Sequence, residues 1–405
     1  MKTETFHLEL ITPCFCGGAE PEKQAEIRAP SIRGQLRWWF RTLGGFKSLA
    51  ARGLSVRAQE ALIFGSTAGE EGQAGKLVVR VKNGPAPSTT TRDDREFHAE
   101  VGTDRGYLAF PLRSKRKREN GMERLVEYKG KAAYDWEDSK GNKLALPTFD
   151  LQLIWRGDLA NWPDIEALVV VFGNLGALGF RSRRALGALR IASHSTSQHL
   201  TLALDRFGKH TNQHDWQSRI CITEATARPP NAPYVNRSAD DCIVTLARWL
   251  KDWRSHGRTV DHATARPPNP PHNSGFDPFA KNDHDRGVAV GLREGSPNDQ
   301  TFRPALGLPI IQFFSSGKPQ VDWNERWDPE KARRNRNYKG EGRFASPILL
   351  RPHRDAAGNW HALVIFVDAH KWPRDKQVYL NGQPRRVSLD LYNQMKQDRH
   401  LTPFP

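Results

Sequence analysis

Cysteine is scarce in this sequence, with four residues among 405. They occur as the Cys14-x-Cys16 pair and as the distant Cys221 and Cys242. This spacing matches neither a structural zinc site nor a disulfide framework. We therefore expect buried, reduced thiols in a cytoplasmic protein, and we predict no metal site and no cofactor.

Long apolar runs are also missing. The most apolar stretch, residues 167–180, is interrupted by glycines and by Asn174, so it is too short and too broken to span a bilayer. Residues 1–10 carry charged side chains where a secretory signal peptide would have its apolar core. These two absences predict a protein that neither crosses a membrane nor is secreted.

Enzymatic motifs are absent as well. The sequence contains no H-E-x-x-H, no G-x-S-x-G and no G-x-x-x-x-G-K-[ST]. One catalytic alternative stays open, because a histidine can act as general acid or base on RNA while a 2′-hydroxyl serves as nucleophile without a metal. Its candidates by position are His7, His98, His194, His210 and His214. We predict no catalytic residue.

Positive charge is what the sequence has in excess. Lys and Arg number 61 against 45 Asp and Glu, which gives a formal net charge of +16. Such a surface predicts a polyanionic partner, and it carries no information about the fold.

The length and the hydrophobic periodicity predict two domains of the α+β class. In residues 1–205, the order strand, helix, strands, helix, strand predicts a ferredoxin-like (RRM-like) domain with an antiparallel sheet. Its predicted strands are 6–12, 76–82, 107–112, 149–155 and 188–192, and its predicted helices are 31–43, capped by Ser31, and 165–178. Residues 206–405 predict a second, more decorated domain, with a helix over 240–253, strands at 309–314, 344–350 and 360–367, and a long flexible insert at 257–298.

The first predicted helix carries a row of arginines. Arg33, Arg37 and Arg41 recur every four residues and so align along one face, with no carboxylate between them. Repulsion within such a row favours a bound anion, and Gly34 permits close approach of a phosphate near the helix amino terminus. Trp38 could stack on a base or pack in a core or subunit contact. The structural alternative is a solvated face whose arginines pair with acids elsewhere.

A glycine-rich segment with clustered arginines follows the second predicted helix. It runs from Gly173 to Gly187 and lacks the Gly-x-Gly spacing and element order of a dinucleotide-binding loop. Glycines leading into arginines indicate instead a loop that wraps a phosphodiester chain without reading bases. The alternative is a tight helix-to-strand connection with surface arginines.

Two further basic runs are less specific. One spans residues 113–118, and the other spans residues 326–343 with Trp327 and Tyr338 interleaved. Either could follow a nucleic-acid backbone, and we take Arg334 and Arg343 as candidate contacts of the second run. Charge runs of this kind are also typical of solvated or disordered segments.

Several of these segments together resemble the RAMP superfamily of CRISPR proteins. More narrowly, the sequence is similar to the family of the first subunit of the Cmr complex, the type III-B effector. The S-x-R-G-x-L-R helix at 31–37 is specific to the superfamily, and the T-P-C-F-C-G-G segment taken with A-S-P points to the subunit. The matching segments are residues 12–18, 26–41, 62–66, 176–187, 307–310 and 345–351.

This resemblance implies two ferredoxin-like domains and no catalytic role. It implies contacts with the 3′ region of the guide RNA, help in capturing target RNA in antiviral defence, and neighbouring Cmr-complex RAMP subunits as partners. The positions it carries over as RNA-binding are Gly17, Gly18, Arg28, Ser31, Arg33, Gly34, Arg37, Arg41, Gly176, Gly179, Arg181, Arg183, Arg184 and Gly187.

The chain departs from the superfamily pattern at one position of the loop. The usual Arg-Gly-x-Gly is Arg184-Ala185-Leu186-Gly187 here. We expect the methyl group of Ala185 to bar a positive φ and so to alter the path of RNA over the loop.

Three functions therefore stand as hypotheses. The favoured one is a non-catalytic subunit that binds guide and target RNA through phosphates, with weak sequence preference and strong salt dependence. The alternatives are a metal-independent endoribonuclease that processes precursor guide RNA, and an assembly adaptor whose basic surface neutralises acidic partner subunits.

Overall fold

The structure is a computed structural model that describes most of the chain. The described residues are 1–67, 72–92, 108, 114–119, 122–136, 144–209, 215–226, 236–255, 300–307, 310–312, 321–335, 338, 340–342, 345–368, 377–380 and 382–404. The predicted insert at 257–298 and the candidate Arg343 lie outside these residues. The predicted strand at 107–112 also lies outside them apart from Leu108, which is helical, so the strand prediction is wrong at that residue.

The amino-terminal half contains the elements of the first predicted domain. In chain order they are β1 Lys2–Leu10, α1 Ala29–Thr42, α2 Lys47–Ala51, α3 Val56–Phe64, β2 Leu77–Lys82, β3 Thr91–Arg92, β4 Lys115–Glu119, β5 Met122–Glu127, β6 Lys131–Ala132, β7 Thr148–Trp155, α4 Trp162–Leu175, β8 Leu189–Ile191 and α5 Ser197–Leu204.

A four-stranded antiparallel sheet forms the centre of this half. Its strand order is β2-β7-β1-β8. The chain order β1-α1-β2-β7-α4-β8 combined with this strand order is the ferredoxin-like topology. The sequence prediction for this domain is therefore confirmed.

The hydrophobic pattern explains why these segments pack as they do. Phe6, Leu8 and Leu10 of β1 are buried, whereas the alternate residue His7 is exposed, as the period-two pattern predicts. Helix α1 buries one stripe, which consists of Ile32, Leu36, Trp39 and Phe40. Helix α4 is buried over nearly all of its length, which explains its apolar sequence on every side.

The start of α1 differs from the prediction. The helix begins at Ala29 with Arg28 as its N-cap residue, and no side chain caps it. Pro30 in the first turn starts the helix because its fixed φ suits that position and it has no N–H to satisfy. Ser31 therefore lies inside the first turn, and its predicted role as a cap is wrong.

The carboxyl-terminal half has a second set of elements. They are β9 Ile220–Ala225, α6 Ala239–Ser255, β10 Gln300–Thr301, β11 Ile310–Gln312, β12 Val321–Asn324, α7 Pro329–Arg334, β13 Ile348–Arg354, β14 Trp360–Val367, β15 Gln377–Leu380, β16 Gln383–Val387, α8 Asp390–Lys396 and β17 Leu401–Pro403.

Two sheets form from these strands. The first has the order β13-β14-β9-β17, and with α6 and α8 between its strands in the chain it repeats the ferredoxin-like topology. The second has five strands in the order β10-β16-β15-β12-β11, and its β10–β16 pair is parallel. The sequence predicted β13 and β14 of the first sheet and β11 of the second, and it missed the remaining strands of both sheets.

The chain divides into two compact units. One comprises residues 1–247, 349–369 and 402–405, and the other comprises residues 248–348 and 370–401. The first unit holds one continuous apolar core. A boundary between the ferredoxin-like domains near residue 205 stays a prediction. In the part of the chain that is described, no helix combines the length and the apolar character needed to cross a bilayer.

Candidate nucleic-acid interface

A cavity of about 260 Å³ lies where three elements of the first unit meet. Helix α1 forms one wall, the turn that follows α4 forms another, and β13 closes the third side. The lining residues are Gly34, Gln35, Trp38, Trp39, Arg41, Leu175, Gly176, Ala177, Ser182, Arg183 and Leu349. The cavity thus joins the two segments that sequence analysis singled out separately.

The wall from α1 is shaped by the helical period. Gly34, Trp38 and Arg41 lie three or four residues apart and so share one face, while Trp39 points into the core. A Cβ atom at Gly34 would meet no atom within 4 Å, so the glycine leaves open space there. The ring of Trp38 is half-buried and meets the ring of Trp39 edge-on at 4.9 Å.

The arginine row of α1 has internal partners. The guanidinium of Arg37 pairs with Glu60 of α3, and Arg41 Nε lies 3.6 Å from the same carboxylate. Arg33 donates a hydrogen bond to the carbonyl oxygen of Phe64. The structural alternative, in which the arginines pair with acids elsewhere in the chain, thus holds for Arg37 and Arg41, because Glu60 of α3 packs beside them. Arg33 and Arg41 remain exposed, and Arg37 is half-buried.

The glycine bend, which we define as residues 176–187, adopts a left-handed backbone at four positions. Gly179 and Gly187 have φ of +81° and +68°, and the non-glycine residues Arg181 and Ala185 have φ of +63° and +66°. A Cβ atom at Gly187 would lie 1.9 Å from the carbonyl oxygen of Leu178, so only glycine fits there. The expectation that Ala185 bars a positive φ is wrong.

The three arginines of the bend have different environments. Arg183 is half-buried, its guanidinium lies 4.9 Å from the ring centroid of Trp38, and burial lowers its pKa from the ordinary value. Arg181 donates to the carbonyl oxygen of Leu108 at 2.7 Å. Arg184 is buried, and its guanidinium donates to the carbonyl oxygen of Arg183 at 3.2 Å. The candidate Arg184 is thus largely enclosed by its own chain, and its RNA contact stays a prediction.

Strand β13 is hydrogen-bonded to the glycine bend. The Ala185 amide donates to the carbonyl oxygen of Leu350 at 2.8 Å, and the Leu350 amide donates to Arg183 at 3.2 Å. The side chain of Arg351 is buried and donates to the carbonyl oxygens of Gly176 and Gly173 at 3.1 and 3.2 Å, and to that of Leu189. Burial lowers the pKa of Arg351 to about 9, so its guanidinium is charged at neutral pH.

The remaining candidates from the first segment do not line the cavity. Gly17 belongs to a tight loop, since a Cβ atom there would lie 2.1 Å from the Cβ of Pro21. A Cβ atom at Gly18 would lie 2.7 Å from a carboxylate oxygen of Glu26, and Arg28 Nε lies 3.9 Å from that same oxygen. Ser31 is exposed. These contacts explain the residue types and leave their predicted RNA contacts as predictions.

The candidates of the second basic run fall elsewhere. Arg334 is exposed at the end of α7 in the other compact unit, where it lies 3.6 Å from Glu330. Arg343 lies outside the described residues. None of the described residues of this run is among the lining residues of the cavity.

Of the candidate histidines, His7 and His194 lie in the described part of the chain, and neither lines the cavity. His7 lies 2.9 Å from Asp150, and His194 lies 2.8 Å from Ser193 and 3.7 Å from Glu166. The other candidates, His98, His210 and His214, lie outside the described residues. Among the residues described, no cluster of three or more His, Cys, Asp or Glu side chains has the geometry to hold a metal ion.

Sequence reasoning missed several residues of the site. Gln35, Ser182 and Leu349 line the cavity, and Glu60 and Arg351 support it from behind. A signal for Arg351 was present, because it ends the A-S-P-I-L-L-R segment. No sequence signal marked Glu60, because its partner Arg37 is 23 residues away on a different helix.

Comparison with known proteins supports the resemblance seen in the sequence. A family model described as the RAMP superfamily matches residues 7–190. The Pyrococcus furiosus protein "CRISPR system Cmr subunit Cmr1-1" is 27% identical over 196 residues, which cover 48% of this chain and 49% of that protein. "CRISPR system Cmr subunit Cmr1-2" of the same organism is 30% identical over 190 residues, which cover 46% of this chain and 93% of that protein. The chain thus matches about half the length of Cmr1-1.

Two solved structures align with this chain at low sequence identity. A crystal structure of apo Cmr1 from Pyrococcus furiosus aligns over 91% of this chain and 88% of its own, with 15% identity and a TM-score of 0.47. A chain in a cryo-EM structure of the type III-B Cmr-beta complex bound to cognate target RNA aligns over 96% of this chain and 97% of its own, with 10% identity and a TM-score of 0.39.

These sequence matches agree with the paired ferredoxin-like topologies and with the motifs that surround the cavity. The chain belongs to the RAMP superfamily and, within it, to the Cmr1 family. The family resemblance predicted from the sequence is confirmed.

Proposed function

We propose that this chain is a non-catalytic RNA-binding subunit of a type III-B Cmr effector in the cytoplasm, with other Cmr RAMP subunits as neighbours. In this proposal it contacts the 3′ region of the guide RNA, and it helps to capture target RNA in antiviral defence. Membership of the Cmr1 family supports the proposal, and so does the excess of positive charge.

One observation carries the proposal. The face of α1 that carries Gly34, Trp38 and Arg41 meets the glycine bend at one cavity, where the half-buried Trp38 ring and the Arg183 guanidinium lie together. A flat aromatic ring beside cationic groups is the combination that binds single-stranded RNA, because bases stack on the ring while phosphates pair with the cations.

The residues that line the cavity predict that the protein discriminates poorly between RNA sequences. The polar side chains that line the cavity are Gln35, Arg41, Ser182 and Arg183, with the indole N–H groups of Trp38 and Trp39, and the guanidiniums among them suit phosphates more than base edges. Sequence choice would then come from base pairing by the guide RNA. The protein would supply positioning and electrostatic attraction.

The proposal is tested by titrating the full-length protein with single-stranded guide-length RNA at several salt concentrations. We compare wild type with Arg41→Gln and with Arg183→Gln, each of which removes one positive charge from the cavity. The matched control is Arg57→Gln, which removes the same charge from an exposed position on α3 outside the lining.

We define the salt slope as the slope of log Kd against the logarithm of the salt concentration. We expect each cavity variant to raise the Kd and to lower this salt slope by about 0.7, the value for one phosphate contact on a single strand. The control should keep the wild-type slope. RNA binding that is insensitive to salt, or an equal effect of all three variants, would overturn the proposal.

The adaptor hypothesis gives a different result in an assembly experiment. The double variant Arg33→Ala and Arg37→Ala is introduced into a tagged protein that is purified from cells with its associated subunits and RNA. Loss of crosslinked RNA with retained partner subunits supports the proposal. Loss of partners with unchanged RNA crosslinking favours an assembly adaptor.

A further inference from the structure

Arg351 is a buried cation whose partners frame the glycine bend. Its guanidinium contacts the carbonyl oxygens of Gly173 and Gly176 at the end of α4, that of Leu189 at the start of β8, and His353 Nδ1 at 3.4 Å. The bend lies between these two elements, so one side chain fixes both of its ends.

The position is electrostatically favourable in spite of the burial. The last carbonyl groups of a helix lack intrahelical partners and carry a partial negative charge. Gly173 belongs to the last turn of α4, and Gly176 is its C-cap residue. A planar guanidinium has five N–H donors, so it can satisfy several of these oxygens at once. This accounts for an arginine that is 2% exposed with carbonyl groups as its main partners.

The backbone of the same strand reinforces this contact. Leu350 exchanges hydrogen bonds with Arg183 and Ala185 on the bend, while its neighbour Leu349 lines the cavity. Arg181 and Ala185 have a left-handed backbone, which non-glycine residues in an unsupported loop rarely adopt. The bend therefore depends on external support to keep Arg183 beside Trp38.

We propose that Arg351 is a positioning residue for RNA binding, which holds the glycine bend in the conformation that forms the cavity without touching the RNA. This inference rests on the proposed function of the cavity. It predicts that RNA affinity depends on a buried residue of β13 that lies outside the lining set.

The test uses the full chain with Arg351→Met and Arg351→Lys. Methionine keeps much of the side-chain length without any donor, and lysine keeps the charge without the planar group that bridges several carbonyls. The matched control is Arg385→Met, because Arg385 is an equally buried arginine of β16 in the other compact unit. For each variant we measure thermal unfolding, the fraction of molecules active in stoichiometric RNA titration, and the Kd and salt slope of that fraction.

We expect Arg351→Met to raise the Kd of the active fraction about tenfold and to lower the salt slope by at least 0.7, because Arg183 loses its position. Arg351→Lys should have an intermediate Kd. Arg385→Met should unfold at a lower temperature and keep the wild-type Kd and slope. If Arg351→Met lowers only the unfolding temperature, with unchanged Kd and slope, the inference is wrong.

A second measurement tests the inference if Arg351→Met folds poorly. In Arg351→Lys, hydrogen exchange should quicken at the amides of Leu178 and Ala185, which are bonded to Gly187 and Leu350. Unchanged exchange at both amides would also contradict the inference. The failure of the proposed function is a different result: Arg183→Gln would then leave RNA binding unaffected.

Discussion

The guanidinium of Arg183 lies over the indole ring of Trp38, 4.9 Å from the ring centroid. The two residues belong to the glycine bend and to α1, so this contact joins the two segments that line the cavity. Because the pair is half-buried, its attraction is less screened by water than that of an exposed pair.

This contact predicts an energetic coupling between the two side chains. In a double-mutant cycle of Trp38→Leu and Arg183→Gln, the coupling free energy of unfolding should be about 0.5–1 kcal/mol, the typical size of a cation–π interaction. Urea unfolding of the four proteins measures it. The cycle of Trp38→Leu with Arg57→Gln should give no coupling, and a coupling of similar size there would argue against a specific contact.

Removing the charge of Glu60 should lower the stability of the fold and raise the affinity for RNA. Its side chain is 12% exposed and is shared by Arg37 and Arg41, so Glu60→Gln should lower the free energy of unfolding by about 1–3 kcal/mol. The same change removes the internal counterion of two guanidiniums, so RNA should bind more tightly and with a steeper salt slope.

The control for Glu60 is Glu20→Gln. Glu20 lies in an exposed pair with Lys23 at 3.3 Å, and exposed pairs contribute about 0–1 kcal/mol. Stability and RNA affinity should both stay near wild type. A Glu60→Gln protein with weakened RNA binding would contradict a role of these arginines toward RNA.

The left-handed backbone of Ala185 predicts a stabilising substitution. A non-glycine residue at φ of +66° destabilises the folded state by about 1–2 kcal/mol. Ala185→Gly removes this strain, but it also raises the conformational entropy of the unfolded chain, which offsets part of the gain. We expect a net gain of about 0.5–1 kcal/mol in thermal or urea unfolding. The reciprocal change, Gly187→Ala, should destabilise strongly because its Cβ atom has no room. A destabilised Ala185→Gly protein would show that the strain is absent.

His353 predicts a loss of stability in acid. Burial, followed by the charges of Arg351 and His361, lowers its pKa to about 3 from an ordinary value of 6.5. Between pH 6.5 and 3 the unfolded chain therefore binds a proton that the folded chain does not, so this group reduces folding stability as the pH falls through that window. His353→Gln should flatten this dependence in urea unfolding between pH 7 and 4.5. An unchanged slope would mean that the imidazole is protonated in the folded state.

Much of the fold followed from local patterns. The alternation of β1, the stripe of α1 and the run of β14 each predicted an element that the structure confirms. Four strands of the five-stranded sheet were missed because its strands are two to five residues long, which is too short for a period to show.

The sequence by itself determined the positive charge, the ferredoxin-like topology of the amino-terminal domain, the family, and the two segments that line the cavity, whereas the family resemblance implied the same topology for the second domain. These are local or compositional properties, since a hydrophobic period extends over a few residues and charge is a simple count. The tertiary structure alone decided that Glu60 pairs with the arginines of α1, that Arg184 is buried, and that Arg351 supports the bend from 175 residues away. Such pairings depend on which faces of distant elements pack together, and that information is not present in the spacing of residues along the chain.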